Sequence, residues 1–141
     1  MTTQSEKNTA VAIHLSSLAK YLVPFAGIIV PIIIWQSKKT DSQFVDENGK
    51  SVINFNLSLL LYSIIIAIIF GVFFINSIIE IVQFENQGID VIPVNLITVA
   101  IITGLTLIVW SITEFILILI GTIKAGNGSV YKYPLTIPFI K

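Results

Sequence analysis

One carboxylate lies inside a long apolar stretch, and it is the residue best suited to chemistry within a membrane. Between Val91 and Ile123 the chain carries a single charged residue, Glu114. Glu114 precedes Lys124 by ten residues, which corresponds to about 15 Å along a helix. A carboxylate at that depth costs a few kcal/mol when it faces lipid. We therefore expect Glu114 to face the protein interior, to be protonated or to have a partner.

Polar side chains at a similar depth supply candidate partners for Glu114. Asn54, Ser58 and Tyr62 recur at positions i, i+4 and i+8 of the preceding apolar segment, and Thr113 is adjacent to Glu114. We predict an intramembrane polar seam formed by Glu114, Tyr62, Ser58 and Thr113. The seam is either a proton- or ion-binding position or a set of interhelical hydrogen bonds, within the chain or across an oligomer interface.

The other titratable residues give little sign of a catalytic or metal site. His14 is the only histidine, and we expect it in an interfacial role on an amphipathic segment. We interpret Glu80, Glu85 and Asp90 as part of a solvated loop. The chain has no cysteine, which excludes disulfides and thiolate chemistry. Phosphate-loop, GxSxG and HExxH motifs are absent from the sequence. We expect no enzyme activity, no metal site and no cofactor.

The composition is that of an integral membrane protein. Of the 141 residues, 55% are hydrophobic and 11% are charged, and the mean hydropathy is +0.91. In a typical soluble domain, about a quarter of all residues are charged. The formal net charge is zero, so we expect no nucleic-acid partner. The segment from Ser51 to Ile79 has no charge, and a span needs roughly 20 apolar residues.

The apolar segments and the polar stretches between them define a single membrane domain over residues 9–141, preceded by a disordered segment over residues 1–8. The predicted elements of that domain are a broken first helix pair over 9–37, a polar loop over 37–50 with Asn48-Gly49 as its turn, a transmembrane helix over 52–82, a second loop over 83–93, a transmembrane helix over 94–124 and a cytoplasmic tail over 125–141.

The first apolar region does not predict one straight span. Its front half is amphipathic, and Pro24 removes a backbone donor and restricts Val23, so a break is expected there. We interpret the region as one broken span, with a shallow hairpin as the alternative. The predicted fold class is all-α: a polytopic helical bundle with three spans, a Pro-broken amphipathic first region and four helices in total.

Lysine positions predict the orientation of the chain in the membrane. The first polar loop and the tail carry most of the lysines, whereas the charged residues of the second loop are all acidic. We therefore expect the first loop and the C-terminus in the cytoplasm. Three spans put the N-terminus outside, with Lys20 reaching the outer interface; a hairpin, mildly favoured by Lys7, puts it inside. The lysines concerned are Lys38, Lys39, Lys50, Lys124, Lys132 and Lys141.

Several stretches resemble a known family. They are His14-Leu15-Ser16, the block PFAGIIVPIIIW from Pro24 to Trp35, FVDENGKSVINFNLS at 44–58 and IKAGNGSVYKYPLTIPFI at 123–140. Together they are similar to the small bacterial membrane proteins grouped as domain of unknown function 4870, described as MamF/MmsF-like and as distantly similar to a chloroplast Tic import component. The resemblance covers nearly the whole chain from about Ala12.

The resemblance implies a cytoplasmic motif at the ends of two helices. We expect the tail to fold back onto the first loop, with Asp46 paired to a lysine or capping the second helix. The motif residues are Phe44, Asp46, Gly49, Lys50, Asn54, Tyr131, Tyr133 and Pro134. They form either a structural clamp or a surface for docking a partner. Where this sequence has Glu114, the resemblance implies a neutral residue such as Asn.

Three functions follow as hypotheses. The first is a non-enzymatic accessory or scaffold subunit of a bacterial inner-membrane assembly, whose partners are the lipid bilayer and other membrane subunits or further copies of the chain. The second is a small ion or proton transporter or channel that uses Glu114. The third is a component related to protein translocation, implied only by the likeness to the Tic component.

Overall fold

The computed structural model describes residues 2–89 and 91–141, and within them every regular element is a helix. The all-α class and the four α-helices are confirmed. The elements are α1 (Gln4–Ser16), a 3-10 helix (Ser17–Tyr21), α2 (Ala26–Lys38), α3 (Gln43–Asn86) and α4 (Val94–Gly126).

Two of these helices, α3 and α4, are long and apolar enough to cross a membrane. They contain 44 and 33 residues. The apolar helix α2 has 13 residues and is therefore about 20 Å long, against about 30 Å of hydrocarbon. The third span is consequently not confirmed.

Helix α1 begins earlier than expected. Thr3 accepts a hydrogen bond from the backbone N–H of Glu6, and the Glu6 side chain accepts one from the N–H of Thr3. This reciprocal cap satisfies donors that a helix start otherwise leaves free. The structure therefore differs from the predicted disordered segment over residues 1–8, because α1 starts at Gln4.

The break expected at Pro24 is present, and the chain reverses there. Phe25 adopts a left-handed backbone conformation with φ of 63°, which is uncommon for a bulky residue. Helix α2 then packs back against α1 and the 3-10 helix. A side chain on Gly27 would collide with the Ser17 carbonyl and the Lys20 side chain, so this glycine allows the close approach.

Helix α3 starts at Gln43, nine residues before the predicted start at Val52. The predicted polar loop over 37–50 is thus reduced to a short turn, and the turn expected at Asn48-Gly49 lies inside the helix. Packing explains the difference: Gly49 is buried against the Trp35 ring. Asn48 donates from its side chain to the Phe44 carbonyl, a helical i to i−4 contact. Tertiary contacts here override a local turn preference.

The remaining boundaries lie close to those predicted. Helix α3 continues to Asn86, and α4 starts at Val94 as expected. Gly128 has a φ of 78°, and the N–H of Ser129 donates to the Lys124 carbonyl. This contact closes α4 with a glycine-containing C-cap.

The chain divides into two compact units. Unit 1 comprises Met1–Leu60 and Thr113–Lys141, and unit 2 comprises Leu61–Ile112. Unit 1 contains the first two helices, the start of α3, the end of α4 and the tail. Its hydrophobic core is formed by Ile13, Trp35, Val45, Val52, Ile53, Phe55, Ile118 and Tyr133.

Candidate functional site

The tail of unit 1 lies along one face of α3 and is held there by polar side chains. The Asn54 amide donates to the Ile140 carbonyl at 2.9 Å and accepts from the Ile140 N–H at 2.8 Å. The Ser58 hydroxyl accepts from the N–H of Ile137 at 2.8 Å, and the Ser51 hydroxyl donates to the Tyr131 carbonyl at 2.5 Å.

Spacing explains why Ser51, Asn54 and Ser58 act together. They occur at i, i+3 and i+7, which is one helical face. The tail has no regular secondary structure, so its backbone groups need partners from elsewhere. The expected fold-back of the tail is observed, and its main support is the first part of α3 rather than the loop before it.

His14 links the start of the chain to its end. Its side chain is fully buried, with Nδ1 at 2.7 Å from the Tyr133 hydroxyl and Nε2 at 2.9 Å from Asn48 Oδ1. Because the Asn48 amide nitrogen already donates to the Phe44 carbonyl, its oxygen is the acceptor. Nε2 of His14 therefore carries the proton, and Nδ1 accepts from Tyr133. The interfacial role expected for His14 is wrong.

Burial sets the protonation of this pair. It lowers the pKa of His14 to about 4, although the hydrogen bond with Asn48 opposes that shift. Burial also raises the pKa of the Tyr133 phenol, so the hydroxyl stays protonated. A neutral imidazole and a neutral phenol therefore share one hydrogen bond in the interior of unit 1.

Aromatic packing fixes the Tyr133 ring. The ring stacks on Phe55 with centroids 4.0 Å apart, and Tyr131 contacts it edge-on at 4.8 Å. A side chain on Gly121 of α4 would collide with the Tyr133 hydroxyl and the His14 ring. The predicted motif residue Tyr133 is thus a core residue, and Gly121 provides the space for it.

Asp46 has a structural role in the first turn of α3. Its carboxylate accepts from the Trp35 indole N–H at 2.9 Å and lies 2.6 Å from the Lys50 ammonium. The expected pairing of Asp46 with a lysine is confirmed. Lys39 lies over the same Trp35 ring, 4.8 Å from its centroid. These contacts tie the end of α2 to the start of α3.

Glu114 pairs with Lys20, a partner that we did not predict. Glu114 is 2% exposed, and one of its carboxylate oxygens contacts the Lys20 ammonium. In the described part of the chain, no other hydrogen-bond donor reaches either oxygen. Lys20 was expected to reach the outer interface if the first helix were continuous; the break at Pro24 instead leaves it beside α4. One lysine and one glutamate in otherwise apolar segments were the available signal.

The other predicted seam residues have contacts of their own. Ser58 donates to the Asn54 carbonyl at 2.7 Å and receives the tail's N–H, so both functions of its hydroxyl are used. Tyr62 belongs to unit 2, where its ring meets Trp110 edge-on at 6.4 Å. Thr113 is exposed.

Several residues that join elements of the fold were not predicted from the sequence. Asn56 is buried and donates to the Ser17 hydroxyl and to the Val52 carbonyl, which joins α3 to the 3-10 helix. Trp35 and Asn48 form contacts across elements as described above. A run of asparagines at 48, 54 and 56 in a helix that continues into an apolar segment was the available signal, because such side chains need buried partners there.

A groove lies between the tail and α3 in unit 1, with a volume of about 610 Å³. Its lining combines polar and charged side chains with apolar ones, among them Pro138 and Ile140. Of the motif residues, Phe44 packs on the core, whereas Pro134 is exposed. The charged lining residues of the groove are Glu47, Lys50, Lys132 and Lys141.

This arrangement holds the elements of unit 1 together. Apart from Glu114, whose contact is the ion pair with Lys20, the buried polar side chains described above are hydrogen-bonded to backbone groups or to one another. Over residues 2–89 and 91–141, no group of three or more His, Asp or Glu side chains is placed to hold a metal ion. What the site does chemically is to join four helices and the tail through neutral hydrogen bonds and two ion pairs, Asp46–Lys50 and Lys20–Glu114.

Comparison with known proteins identifies the family. No curated protein sequence and no solved structure matches the chain significantly. The family model of the magnetosome magnetite crystal formation proteins, MamF/MmsF, matches residues 5–140. The match includes the buried histidine, the polar face of α3 and the tail. The chain therefore belongs to the MamF/MmsF family of magnetosome magnetite crystal formation proteins.

Proposed function

We propose that the chain is a non-enzymatic accessory or scaffold subunit of a membrane assembly in which magnetite crystals form. The family description supports the setting. The observation that carries the proposal is the use of buried polar groups. The side chains of His14, Asn54, Asn56 and Ser58 all form hydrogen bonds that hold parts of the fold together. Side chains used in this way stabilise a shape that partners can bind, and they are not poised to transform a substrate.

The proposed setting is a bacterial inner membrane or a membrane derived from it. Helices α3 and α4 supply two spans, and α2 is too short to supply a third. The lysines of the first loop and the tail support a cytoplasmic location for both, and the acidic second loop belongs on the other side.

The groove of unit 1 is the proposed contact surface. Lys132 is exposed and lines the groove, whereas Lys124 is exposed at the end of α4 and does not line it. A charge reversal at Lys132 therefore changes the surface without touching the buried contacts of Tyr133 and His14.

The test is co-purification after mild detergent extraction from the native membrane. We expect the tagged chain to migrate in a defined complex with other membrane subunits. Lys132→Glu should weaken that complex, and the matched Lys124→Glu variant should not. A chain that migrates alone under every mild detergent contradicts the proposal, as does equal retention of partners by both variants.

Transport through Glu114 is the second candidate, and the pairing with Lys20 argues against it. Taking Glu114 out of this pair would leave a charge without its partner, which makes ion exchange at Glu114 unfavourable. We expect liposomes containing the wild type or Glu114→Gln to show the same proton flux as empty liposomes. Flux that the wild type supports and Glu114→Gln abolishes would establish transport instead. The translocation hypothesis rests on the Tic likeness alone, and we do not propose it.

A further inference from the structure

The first two helices of unit 1 form a hairpin with both ends on one side. The Ser42 side chain lies close enough to the Glu6 carboxylate to lower its pKa, so the start of α1 lies beside the short turn that follows α2. At the other end, Gly27 packs against Ser17 and Lys20. The two arms are therefore antiparallel.

The open end of this hairpin lies next to the end of α4. A side chain on Gly128 would contact Thr2 and Lys7, and a side chain on Gly126 would contact Val11. The start of the chain, the end of α2 and the C-cap of α4 consequently share one side of unit 1.

Charge and hydropathy change steeply along the hairpin. Its open end carries Glu6, Lys7, Lys38, Lys39 and Asp41, whereas Tyr21 to Trp35 contains no charge. The apex is the most exposed apolar part of the hairpin: Leu22 is 87% and Phe25 is 64% exposed. Along α2, the outward face continues with Ile29 and Ile33. Such a surface is unfavourable in water and suited to hydrocarbon.

The hairpin is too short to cross a bilayer. The arm formed by α2 measures about 20 Å, against about 30 Å of hydrocarbon. Near the apex, Lys20 meets Glu114, which precedes the end of α4 at Gly126 by 12 residues or about 18 Å. The apex therefore reaches roughly half the depth of the membrane, and the charge nearest to it is neutralised by a partner.

We propose that residues 4–38 form a re-entrant hairpin, which enters one leaflet of the membrane from the cytoplasmic side and returns to the cytoplasmic side. The acyl chains of that leaflet cover the apolar surface of the hairpin. In the same unit, α4 also exposes apolar side chains, among them Phe115, Ile116 and Ile123. The N-terminus, the first loop and the tail are then all cytoplasmic. This inference rests on the two spans proposed above.

The natural absence of cysteine makes the experiment direct. Single cysteines are introduced at exposed positions of the full-length chain, and sealed vesicles of both orientations are treated with an impermeant maleimide. The variants are Ser5→Cys, Thr40→Cys, Ser129→Cys, Gln87→Cys, Leu22→Cys and, as the lipid-facing reference, Ile68→Cys.

The proposal predicts a specific labelling pattern. Ser5→Cys, Thr40→Cys and Ser129→Cys react from the same face, and Gln87→Cys reacts only from the other face. Leu22→Cys, like Ile68→Cys, reacts from neither until detergent is added. A bimane attached at Leu22→Cys is quenched more strongly by nitroxide deep in the acyl chain than by nitroxide on the headgroup.

Two failures are distinguishable. If Gln87→Cys and Thr40→Cys react from the same face, the two spans themselves are wrong. If those two react from opposite faces but Ser5→Cys reacts from the same face as Gln87→Cys, the first region crosses the membrane and the hairpin is refuted. Labelling of Leu22→Cys in sealed vesicles, or stronger quenching by the headgroup nitroxide, also overturns the proposal.

Discussion

Unit 1 and unit 2 both contain polar side chains, and the two units use them differently. In unit 1 these side chains join distant parts of the sequence, as in the contacts of His14 with Tyr133 and of Asn54 with Ile140. In unit 2, Asn76 and Thr98 donate to carbonyls four residues earlier in their own helices. The hydrogen bonds described for unit 1 thus include several between distant segments, whereas those of Asn76, Ser77, Thr98 and Thr106 in unit 2 stay within one helix.

The largest loss of stability is expected when the buried ion pair of unit 1 is broken. Lys20→Met leaves Glu114 without its partner and should lower the free energy of unfolding by about 3 kcal/mol. Unfolding by SDS in mixed micelles, followed by tryptophan fluorescence, measures the change. Replacing both residues, as Lys20→Met with Glu114→Leu, should recover most of the loss. A double variant no more stable than the single one would show that the pair is not the cause.

Asparagines of the two units provide the next test. Asn54→Ala removes two hydrogen bonds to Ile140 and should lower the free energy of unfolding by about 2 kcal/mol. The matched Asn76→Ala change removes an exposed contact within its helix and should alter stability by less than about 0.5 kcal/mol. Equal losses would remove the distinction between tertiary and local bonding.

Two glycines of α4 test packing in each unit. Gly121→Ala pushes a methyl group against Tyr133 and His14 and should cost about 1 to 2 kcal/mol. At Gly104 nothing lies within reach of an added methyl group, so Gly104→Ala should be stabilising by up to about 1 kcal/mol through helix propensity. Thermal unfolding in detergent separates the two, and a stabilising Gly121→Ala would contradict the described packing.

The smallest expected effect is the pH dependence of unit 1. The pKa of His14 is lowered to about 4 in the folded state, below its ordinary value of 6.5, so the folded state prefers neutral imidazole. The stabilisation is present above pH 6.5 and is lost as the pH falls towards 4. From pH 7 to 5.5 we expect a loss of about 1 kcal/mol. His14→Gln should abolish that part of the slope; an unchanged slope would assign it to carboxylates.

The sequence predicted the parts of the fold that depend on local chemistry. Apolar length predicted α3 and α4, and Pro24 predicted the break, because each signal lies within its own segment of the chain. The partner of Glu114 and the burial of His14 depend on contacts between segments far apart in the chain. Gly49 shows the limit most clearly: its turn preference next to Asn48 is real, but the Trp35 ring decides its conformation.

The contact between the chain's first helix and its last residues has a consequence for biogenesis. His14 and Tyr133 are 119 residues apart in sequence, so their hydrogen bond can form only after the residues between them have been synthesised. Closing so long a loop is entropically unfavourable and slow compared with forming a helix. In the proposed two-span arrangement, the two apolar helices therefore have time to enter the bilayer first. Until the tail docks, the polar groups of His14 and Asn54 that bind it are available to other contacts, and this interval is when the nascent chain is most vulnerable to misassembly.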